Sequence, residues 1–360
     1  MKIGIVAFNR SWRFMGGGVT CIDTCKDILI SKGFDAEIIA INGTGCPLDY
    51  PGYDVAYDFK MLEWKKDLVH SYDRLIIGNY TSLGRTDQHG WYMNHICDFL
   101  GNLIPEKYLL ILHDEYDIMG PFLSKLIQQG ILDRWLFNSE SVRKHLGEFF
   151  GITGGYFNLI TPKRIDFKLE DKTSDFHYIG RLVDNQKFVI NLLTICSSLG
   201  RGLVIYGPLY KPLLQTLTTL PLAVRTLWET SYKGPCEEPT PAIQVRQPFK
   251  FSWGVVRGYK ERLQKLTTFD GEFMPRLEQS VLESIRAGSL PILVKSTIPE
   301  WFPHEYAITL DSYDIPQMID QIKDQLVYDY RTVERLHECN KLLDKRIELS
   351  LENLREILNF

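Results

Sequence analysis

The chain has 360 residues, of which 44% are hydrophobic and 24% are charged, and its formal net charge at pH 7 is -4. This length accommodates two ordinary domains, and the composition excludes a largely disordered protein. Nucleic-acid binding normally needs a basic face, so the net charge disfavours it unless a local basic patch exists. The seven cysteines show no metal-ligand spacing, and no apolar run reaches the roughly 18 residues of a membrane span. We therefore expect a reduced, soluble, cytoplasmic protein without membrane contact.

The opening of the chain predicts the β-loop-α-β arrangement of a doubly wound α/β domain. An apolar strand, Lys2–Phe8, leads through a loop into a glycine run, and a helix then extends to about residue 32. Gly17, Gly18 and Val19 would let the backbone approach a phosphate or sugar where the helix N–H groups attract anions. The spacing differs from G-x-G-x-x-G, which disfavours nicotinamide binding. A flexible turn without a ligand is the simpler alternative.

Later strands of this half end in polar residues. The pattern predicts strands at 36–41, 72–79, 108–113 and 134–138. Because open α/β sheets bind ligands at the carboxyl ends of their strands, we expect His113 and Asp114 to project into a crevice there. His113 could instead be a strand-end histidine bonded to backbone. Asp117 could be the functional acid in place of Asp114.

A polar, charged segment at about 160–174 predicts a linker, and a second α/β half begins after it. A strand at 176–180 delivers Arg181 to its carboxyl end, and Lys187 follows just before a helix at about 188–199. An arginine can bind two phosphate oxygens at once, and a lysine adds a compact positive charge. This pair suits a diphosphate, although two exposed cations at a domain junction would look the same.

The stretch 276–297, RLEQSVLESIRAGSLPILVKST, has a clear local pattern. Gly288 is placed to end a helix, and the apolar run Leu290–Val294 is typical of a covered parallel strand. Glu283 is a carboxylate within this amphipathic helix, and it is either functional or merely solvated. The apolar residues at helical spacing that predict one buried face are Leu277, Val281, Leu282 and Ile285.

The remaining sequence completes a two-domain α/β protein. We predict strands at 203–206 and 306–311 and continuous helix from 315 to the end, with no secure element between 221 and 253. The predicted domains are 1–165 and 175–340, followed by a C-terminal helix at 341–360 that returns to the first domain.

The helix, the sequence A-G-x-x-P and the strand around Gly288 resemble the sugar-nucleotide element of GT-B glycosyltransferases, whose two Rossmann-like domains face a central cleft. The resemblance narrows to the bacteriophage DNA α-glucosyltransferases, which glucosylate 5-hydroxymethylcytosine in phage DNA. It spans both domains but leaves 210–247 uncovered. The family's lysine lies one residue nearer its arginine and is followed by glycine, whereas Lys187 is followed by Phe188. The matching residues are Gly18-Val19-Thr20, His113-Asp114, Ile179-Gly180-Arg181, Arg276, Glu278, Glu283, Gly288, Pro291 and Lys295-Ser296-Thr297.

This resemblance implies transfer from a UDP-sugar co-substrate with retention at the anomeric carbon, with glucose as the default sugar and a pentose such as arabinose as an alternative. Glu283 would receive the ribose hydroxyls, and Arg181 with Lys187 would hold the diphosphate. Asp114 would orient or deprotonate the acceptor hydroxyl, and His113 would hydrogen-bond the donor sugar. The sequence has no D-x-D pair and requires no metal or tightly bound cofactor, although a divalent ion could stimulate the reaction.

A basic and aromatic segment between 246 and 265 predicts a DNA-contacting surface despite the acidic net charge. Cations and aromatic rings together can follow a phosphate backbone and stack on bases. A solvated face above a packed aromatic cluster would give the same pattern. A base in duplex DNA would have to flip out to meet the donor, which costs a few kcal/mol. The candidate DNA contacts are Arg246, Lys250, Arg257, Lys260 and Arg262.

The sequence therefore predicts a monomeric GT-B enzyme whose partners are a UDP-sugar and hydroxymethylated double-stranded DNA. Two rivals remain open. One is a GT-B enzyme that acts on a glycan or another small acceptor, which the acidic net charge favours. The other is a non-catalytic protein of the same fold that binds a nucleotide sugar or DNA without turnover.

Overall fold

A computed structural model gives the fold of the chain, which divides into two units. The first unit comprises Met1–Pro162 and Lys345–Phe360, and the second comprises Lys163–Asp344. Within the part of the chain that is described, no helix is both long and apolar enough to cross a membrane. The structure describes residues 1–8, 17–42, 54–58, 71–78, 97–111, 128–131, 134–140, 143, 154–164, 175–179, 186–207, 218–219, 221–234, 249–251, 277, 279–295, 298–312, 314–326 and 330–358.

The first unit is built on a parallel sheet, with seven strands among its described residues. These strands are β1 (Lys2–Phe8), β2 (Asp35–Asn42), β3 (Val55–Asp58), β4 (Arg74–Gly78), β5 (Glu106–Ile111), β6 (Arg134–Phe137) and β7 (Gly155–Tyr156). Their order in the sheet is β3-β2-β1-β4-β5-β6-β7. Ile5 of β1 pairs with Ile38 on one side and Ile76 on the other, and all three are buried. Such apolar central strands are typical of a parallel sheet covered on both faces.

Helix α1 (Gly17–Ser31) follows β1 and packs on the sheet. Its end is fixed by Gly33, whose φ of +83° is the left-handed conformation that glycine adopts without strain. The Gly33 N–H donates to the Ile30 oxygen at 3.0 Å, and the Phe34 N–H donates to the Leu29 oxygen at 3.1 Å. This pair of bonds satisfies the last carbonyls of the helix. Its buried side chains recur at helical spacing, and they are Cys21, Ile22, Cys25, Ile28 and Leu29.

The second unit contains a parallel sheet with five strands among its described residues. They are β8 (Phe176–Ile179), β9 (Leu203–Tyr206), β10 (Phe249–Phe251), β11 (Leu290–Val294) and β12 (Ile308–Leu310). Their order in the sheet is β12-β11-β10-β8-β9. The chain places β9 on one side of β8 and then places β10, β11 and β12 on the other side, so the strand order reverses between β8 and β10. Ligands of open α/β sheets bind outside the carboxyl ends of the strands at such a reversal. The helices that are described wholly within this unit are α2 (Gln186–Ser198), α3 (Leu222–Ser231), α4 (Gln279–Arg286) and α5 (Ile315–Gln325), with a 3-10 turn at His304–Tyr306.

The core of the second unit lies between its sheet and the surrounding helices. Every residue of β11 is buried, which agrees with the predicted covered strand. Met318 and Ile322 of α5 have no exposed surface, and they join the same cluster as Leu192 and Ile195 of α2. Asp314 begins α5, because its carboxylate accepts the Gln317 N–H at 3.0 Å.

Two predictions about the second half are wrong. The stretch 221–253 does contain regular structure, since α3 buries Trp228 against Tyr232 with ring centroids 4.7 Å apart. β10 lies in the middle of the sheet, between β8 and β11. Helix is also not continuous from 315, because α5 ends at Gln325 and a new helix, α6 (Tyr330–Leu358), begins five residues later.

Helix α6 contributes to both units, because its residues up to Asp344 belong to the second unit and the later ones belong to the first. Its last turn lies very close to β7 in the first unit. A Cβ atom built on Gly155 would lie 1.5 Å from the Ile357 Cδ1 atom. The Ser350 hydroxyl, which is buried, accepts the Asn158 N–H at 3.0 Å. Glycine at 155 thus permits the close approach of this helix.

We expect the substitution Gly154→Ala to destabilise the first unit by about 1–3 kcal/mol. A Cβ atom at this position would lie 2.5 Å from the backbone oxygen of Trp135, and a backbone atom has no rotamer that removes the clash. Urea unfolding measures the effect. The matched control is Gly101→Ala, whose Cβ would lie 3.7 Å from Ile131 and which exchanges a helical glycine for a better helix former. Equal unfolding midpoints for both variants would contradict the expected clash.

Candidate functional site

The stretch around Glu283 forms the helix, turn and strand that its sequence predicts. Val281, Leu282 and Ile285 of α4 are buried, and Glu283 is half-buried. Gly288 has a φ of +78° and ends the helix. Its N–H donates to the Ile285 oxygen at 2.9 Å, and the next N–H, that of Ser289, donates to the Ser284 oxygen at 2.8 Å. This C-terminal motif leads the chain directly into β11.

A buried histidine connects α4 to β8, the strand that precedes Arg181. His177 is 2% exposed, and its Nε2 lies 3.5 Å from the Ser284 hydroxyl oxygen. That hydroxyl donates to the Ser280 oxygen at 2.5 Å, so it is the acceptor of the histidine N–H. The contact therefore joins α4, which carries Glu283, to β8, whose carboxyl end leads to Arg181.

A buried arginine connects α4 to α6 on another side. Arg286 is 1% exposed, and its guanidinium Nη1 donates to the side-chain oxygen of Asn340 at 3.0 Å. Its Nη2 lies 2.8 Å from a carboxylate oxygen of Asp344. Burial lowers the pKa of Arg286, while the negative charge of Asp344 acts in the opposite direction. Helix α4 is therefore held from two sides by polar contacts as well as by its apolar face.

An ion pair lies at the carboxyl ends of β11 and β12. Lys295 follows β11 and Asp311 follows β12, and their Nζ and Oδ1 atoms are 2.5 Å apart. The pKa of Asp311 is held below its usual range, first by the hydrogen bond from Lys295 and then by one from Gln321. The carboxylate consequently stays ionised at neutral pH, and Lys295 is paired at the edge of the sheet where ligands of this fold class bind.

The other predicted donor-site residues lie at helix N-termini where they are described. Gly17, Gly18 and Val19 form the first turn of α1, after the carboxyl end of β1. Lys187 is the second residue of α2, which begins at Gln186 and not at the predicted 188. Unpaired N–H groups at such positions favour anions.

The structure leaves most of the predicted chemical residues outside the described ranges. Within the ranges it does describe, no group of three or more histidine, cysteine or acidic side chains could hold a metal ion. Lys250 is described as part of β10, the middle strand of the sheet. The residues outside the described ranges are His113, Asp114, Asp117, Arg181, Arg246, Arg257, Lys260 and Arg262.

Neither protein-family models nor curated protein sequences compared with the chain give a match. Solved structures match it along almost its whole length. An alpha-glucosyltransferase in complex with UDP and a 13-mer DNA containing a HMU base has a TM-score of 0.65 at 14% identity, over 99% of this chain and 95% of that one. An alpha-glucosyltransferase in complex with UDP-glucose and DNA containing an abasic site gives 0.63 at 14% identity, over 99% and 95%. The T4 phage beta-glucosyltransferase with UDP-glucose gives 0.57 at 12% identity, over 100% of both chains.

These likenesses establish the class of fold. The chain has the GT-B fold, so the predicted fold class, with two Rossmann-like domains, is confirmed. The resemblance to the phage DNA glucosyltransferases, which the sequence predicts from short motifs, is confirmed as a likeness of structure. Identities of 12–14% carry no residue roles by themselves.

Proposed function

We propose that the chain is a retaining glycosyltransferase that moves a sugar, glucose by default, from a UDP-sugar to 5-hydroxymethylcytosine in phage DNA. The observation that carries this proposal is the match to an alpha-glucosyltransferase bound to UDP and DNA over 99% of the chain. The half-buried Glu283 supports it, because the next residue on its helix, Ser284, contacts His177 of β8, one of the two strands between which the strand order reverses.

The second unit is the donor side in this proposal. Glu283 accepts hydrogen bonds from the ribose hydroxyls of UDP, and Arg181 binds the diphosphate from the end of β8. Lys187 and the first N–H groups of α2 lie in the same first helical turn, where together they favour the negative charge that develops on the leaving diphosphate. Gly17, Gly18 and Val19, in the first turn of α1, also contact the donor in this proposal.

The first unit supplies the acceptor side. Asp114 follows β5 and takes the proton of the hydroxymethyl group or orients it, with Asp117 as the alternative acid. His113 hydrogen-bonds the donor sugar. The segment with Arg246, Lys250, Arg257, Lys260 and Arg262 contacts the DNA phosphates. The protein acts as a monomer and needs no tightly bound cofactor.

Release of UDP tests this proposal. We expect the protein to release UDP from UDP-glucose several-fold faster with hydroxymethylated duplex DNA than with the same duplex containing cytosine. The same comparison is made with UDP-arabinose. Faster release of UDP from UDP-arabinose than from UDP-glucose would change the proposed sugar to a pentose and leave the proposed reaction unchanged. Equal rates with both duplexes, and with no DNA, would contradict DNA as the acceptor.

A glycan or small-molecule acceptor is the second candidate function, favoured by the formal net charge of -4. It predicts no binding to duplex DNA even at low salt, where phosphate contacts are strongest. A fluorescence-anisotropy titration of hydroxymethylated DNA at low ionic strength separates the two functions.

A further inference from the structure

A buried arginine lies one helical turn after Glu283 and takes no part in the function proposed so far. Arg286 is 1% exposed and occupies the last turn of α4. Arginine is rarely buried so completely unless its charge is paired, because removal of a cation from water is costly. A nonpolar residue of similar size would fill the same space without that cost. The contacts of the guanidinium therefore need an explanation.

Those contacts attach α4 to two positions of α6 that are one turn apart. Nη1 donates to the Asn340 side-chain oxygen at 3.0 Å and to its backbone oxygen at 3.3 Å. Nη2 lies 2.8 Å from the Asp344 carboxylate. In return, the Asn340 amide donates to the Ile285 oxygen at 3.3 Å and to the Leu336 oxygen at 3.0 Å. A planar, forked cation bound at two points resists rotation far more than an ammonium group would.

The carboxylate of Asp344 has a second cation beside it. Arg164 Nη2 lies 3.0 Å from Asp344 Oδ2, and both of these side chains are about half exposed, at 46% and 49%. Replacement of Arg286 by an apolar residue therefore leaves Asp344 paired and partly hydrated. No unpaired buried charge is created, and the main polar loss is the donor to the buried side-chain oxygen of Asn340.

We propose that Arg286 is a positioning residue for the donor, which fixes the rotation of α4 so that Glu283 faces the ribose of the UDP-sugar. This inference rests on the proposed function of Glu283. The two residues are three positions apart, which places them on neighbouring parts of the same helix face. Any rotation of α4 about its axis moves both of them. On another side, the contact between His177 and Ser284 limits the same rotation.

A double-mutant cycle on UDP affinity tests the proposal. By isothermal titration calorimetry, we expect Glu283→Ala to weaken UDP binding roughly 10- to 100-fold. Arg286→Met is expected to weaken it about tenfold through misplacement of Glu283. The double variant should bind UDP no more weakly than Glu283→Ala alone, because Arg286 acts only through that carboxylate. Arg286→Lys keeps the charge but loses the fork, so it should recover only part of the affinity.

The matched control is Arg335→Met, which removes another arginine that ties α6 to the rest of the second unit. Arg335 donates to the backbone oxygens of Glu305 and Ala307, each at 2.7 Å. This variant should lower the unfolding midpoint and leave UDP affinity unchanged. Wild-type UDP affinity in Arg286→Met would overturn the inference, as would additive losses in the double variant. Wild-type UDP affinity in Glu283→Ala would contradict both the proposed donor site and this inference. The two results for Arg286→Met and the double variant would contradict the inference alone.

Discussion

We expect replacement of Asp114 by alanine to lower the rate of sugar transfer roughly 10²- to 10⁴-fold, while UDP binding is retained. This is the largest effect that we expect from a single substitution. The acceptor hydroxyl is a poor nucleophile until a carboxylate removes or orients its proton, whereas the proposed contacts to the ribose and diphosphate of UDP, Glu283, Arg181 and Lys187, are separate from this acid. Transfer is measured with UDP-glucose and hydroxymethylated DNA, and UDP affinity is measured by calorimetry.

Two further variants make this result specific. Asp114→Asn retains the shape and a hydrogen-bonding oxygen but accepts no proton, so it should be as inactive as Asp114→Ala if proton transfer is the role. Asp117→Ala should retain most of the activity. The opposite pattern, with Asp117→Ala inactive and Asp114→Ala active, would assign the acid to Asp117. Full activity in both variants would remove the carboxylate mechanism and favour a different base.

The second large effect that we expect is from replacement of Glu283 by alanine, which should lower UDP affinity roughly 10- to 100-fold. The variant loses the hydrogen bonds from the ribose hydroxyls to a charged acceptor, and the expected loss of affinity corresponds to about 1.4–2.7 kcal/mol in total. Alanine is the best helix former, so α4 itself should stay intact. The loss should appear with UDP alone, because the sugar is not involved.

Glu283→Gln and Glu229→Ala complete this experiment. Glutamine keeps one acceptor oxygen, so its UDP affinity should lie between those of the wild type and the alanine variant. Glu229 is an exposed glutamate on α3 in the same unit, and its removal should leave UDP binding unchanged. A Glu283→Ala protein with wild-type UDP affinity would mean that this helix does not form the donor site.

Local features of the sequence predicted local structure well. The apolar spacing around Val281, the stop at Gly288 and the covered strand β11 depend on neighbouring residues only, and the structure contains all three. The same holds for β1, α1 and the helix-ending Gly33. Each of these elements is decided by hydrophobic period and by the conformational freedom of one glycine.

Elements that depend on distant partners were missed. β10 has only three residues, Phe249–Phe251, and it forms because β8 and β11 pair with it on both sides. Helix α3 buries only Trp228 and Ser231. Its apolar face is therefore too narrow for the spacing of hydrophobic residues to predict a helix. No proline or glycine lies between α5 and α6 in the sequence, so nothing there predicts the end of α5.

The contacts that hold α4 in place could not be predicted from the sequence, for the same reason. Arg286 contacts Asn340 and Asp344, which are 54 and 58 positions away in the chain. In the sequence alone, a single basic residue in the last turn of a helix is typical of a solvent-exposed side chain. His177 and Ser284 are 107 positions apart. Motif resemblance could point to Glu283, but only the folded chain shows what holds its helix in place.

Mass spectrometry of the nucleosides tests the central claim, transfer of a sugar to DNA, most directly. The protein is incubated with UDP-glucose or UDP-arabinose and with duplex DNA that contains either 5-hydroxymethylcytosine or cytosine, and the DNA is then digested to nucleosides. We expect the mass of a hexose or pentose to be added to the hydroxymethylated nucleoside alone. Unmodified nucleosides in every reaction, together with UDP-sugar hydrolysis by the same preparation, would contradict the DNA acceptor.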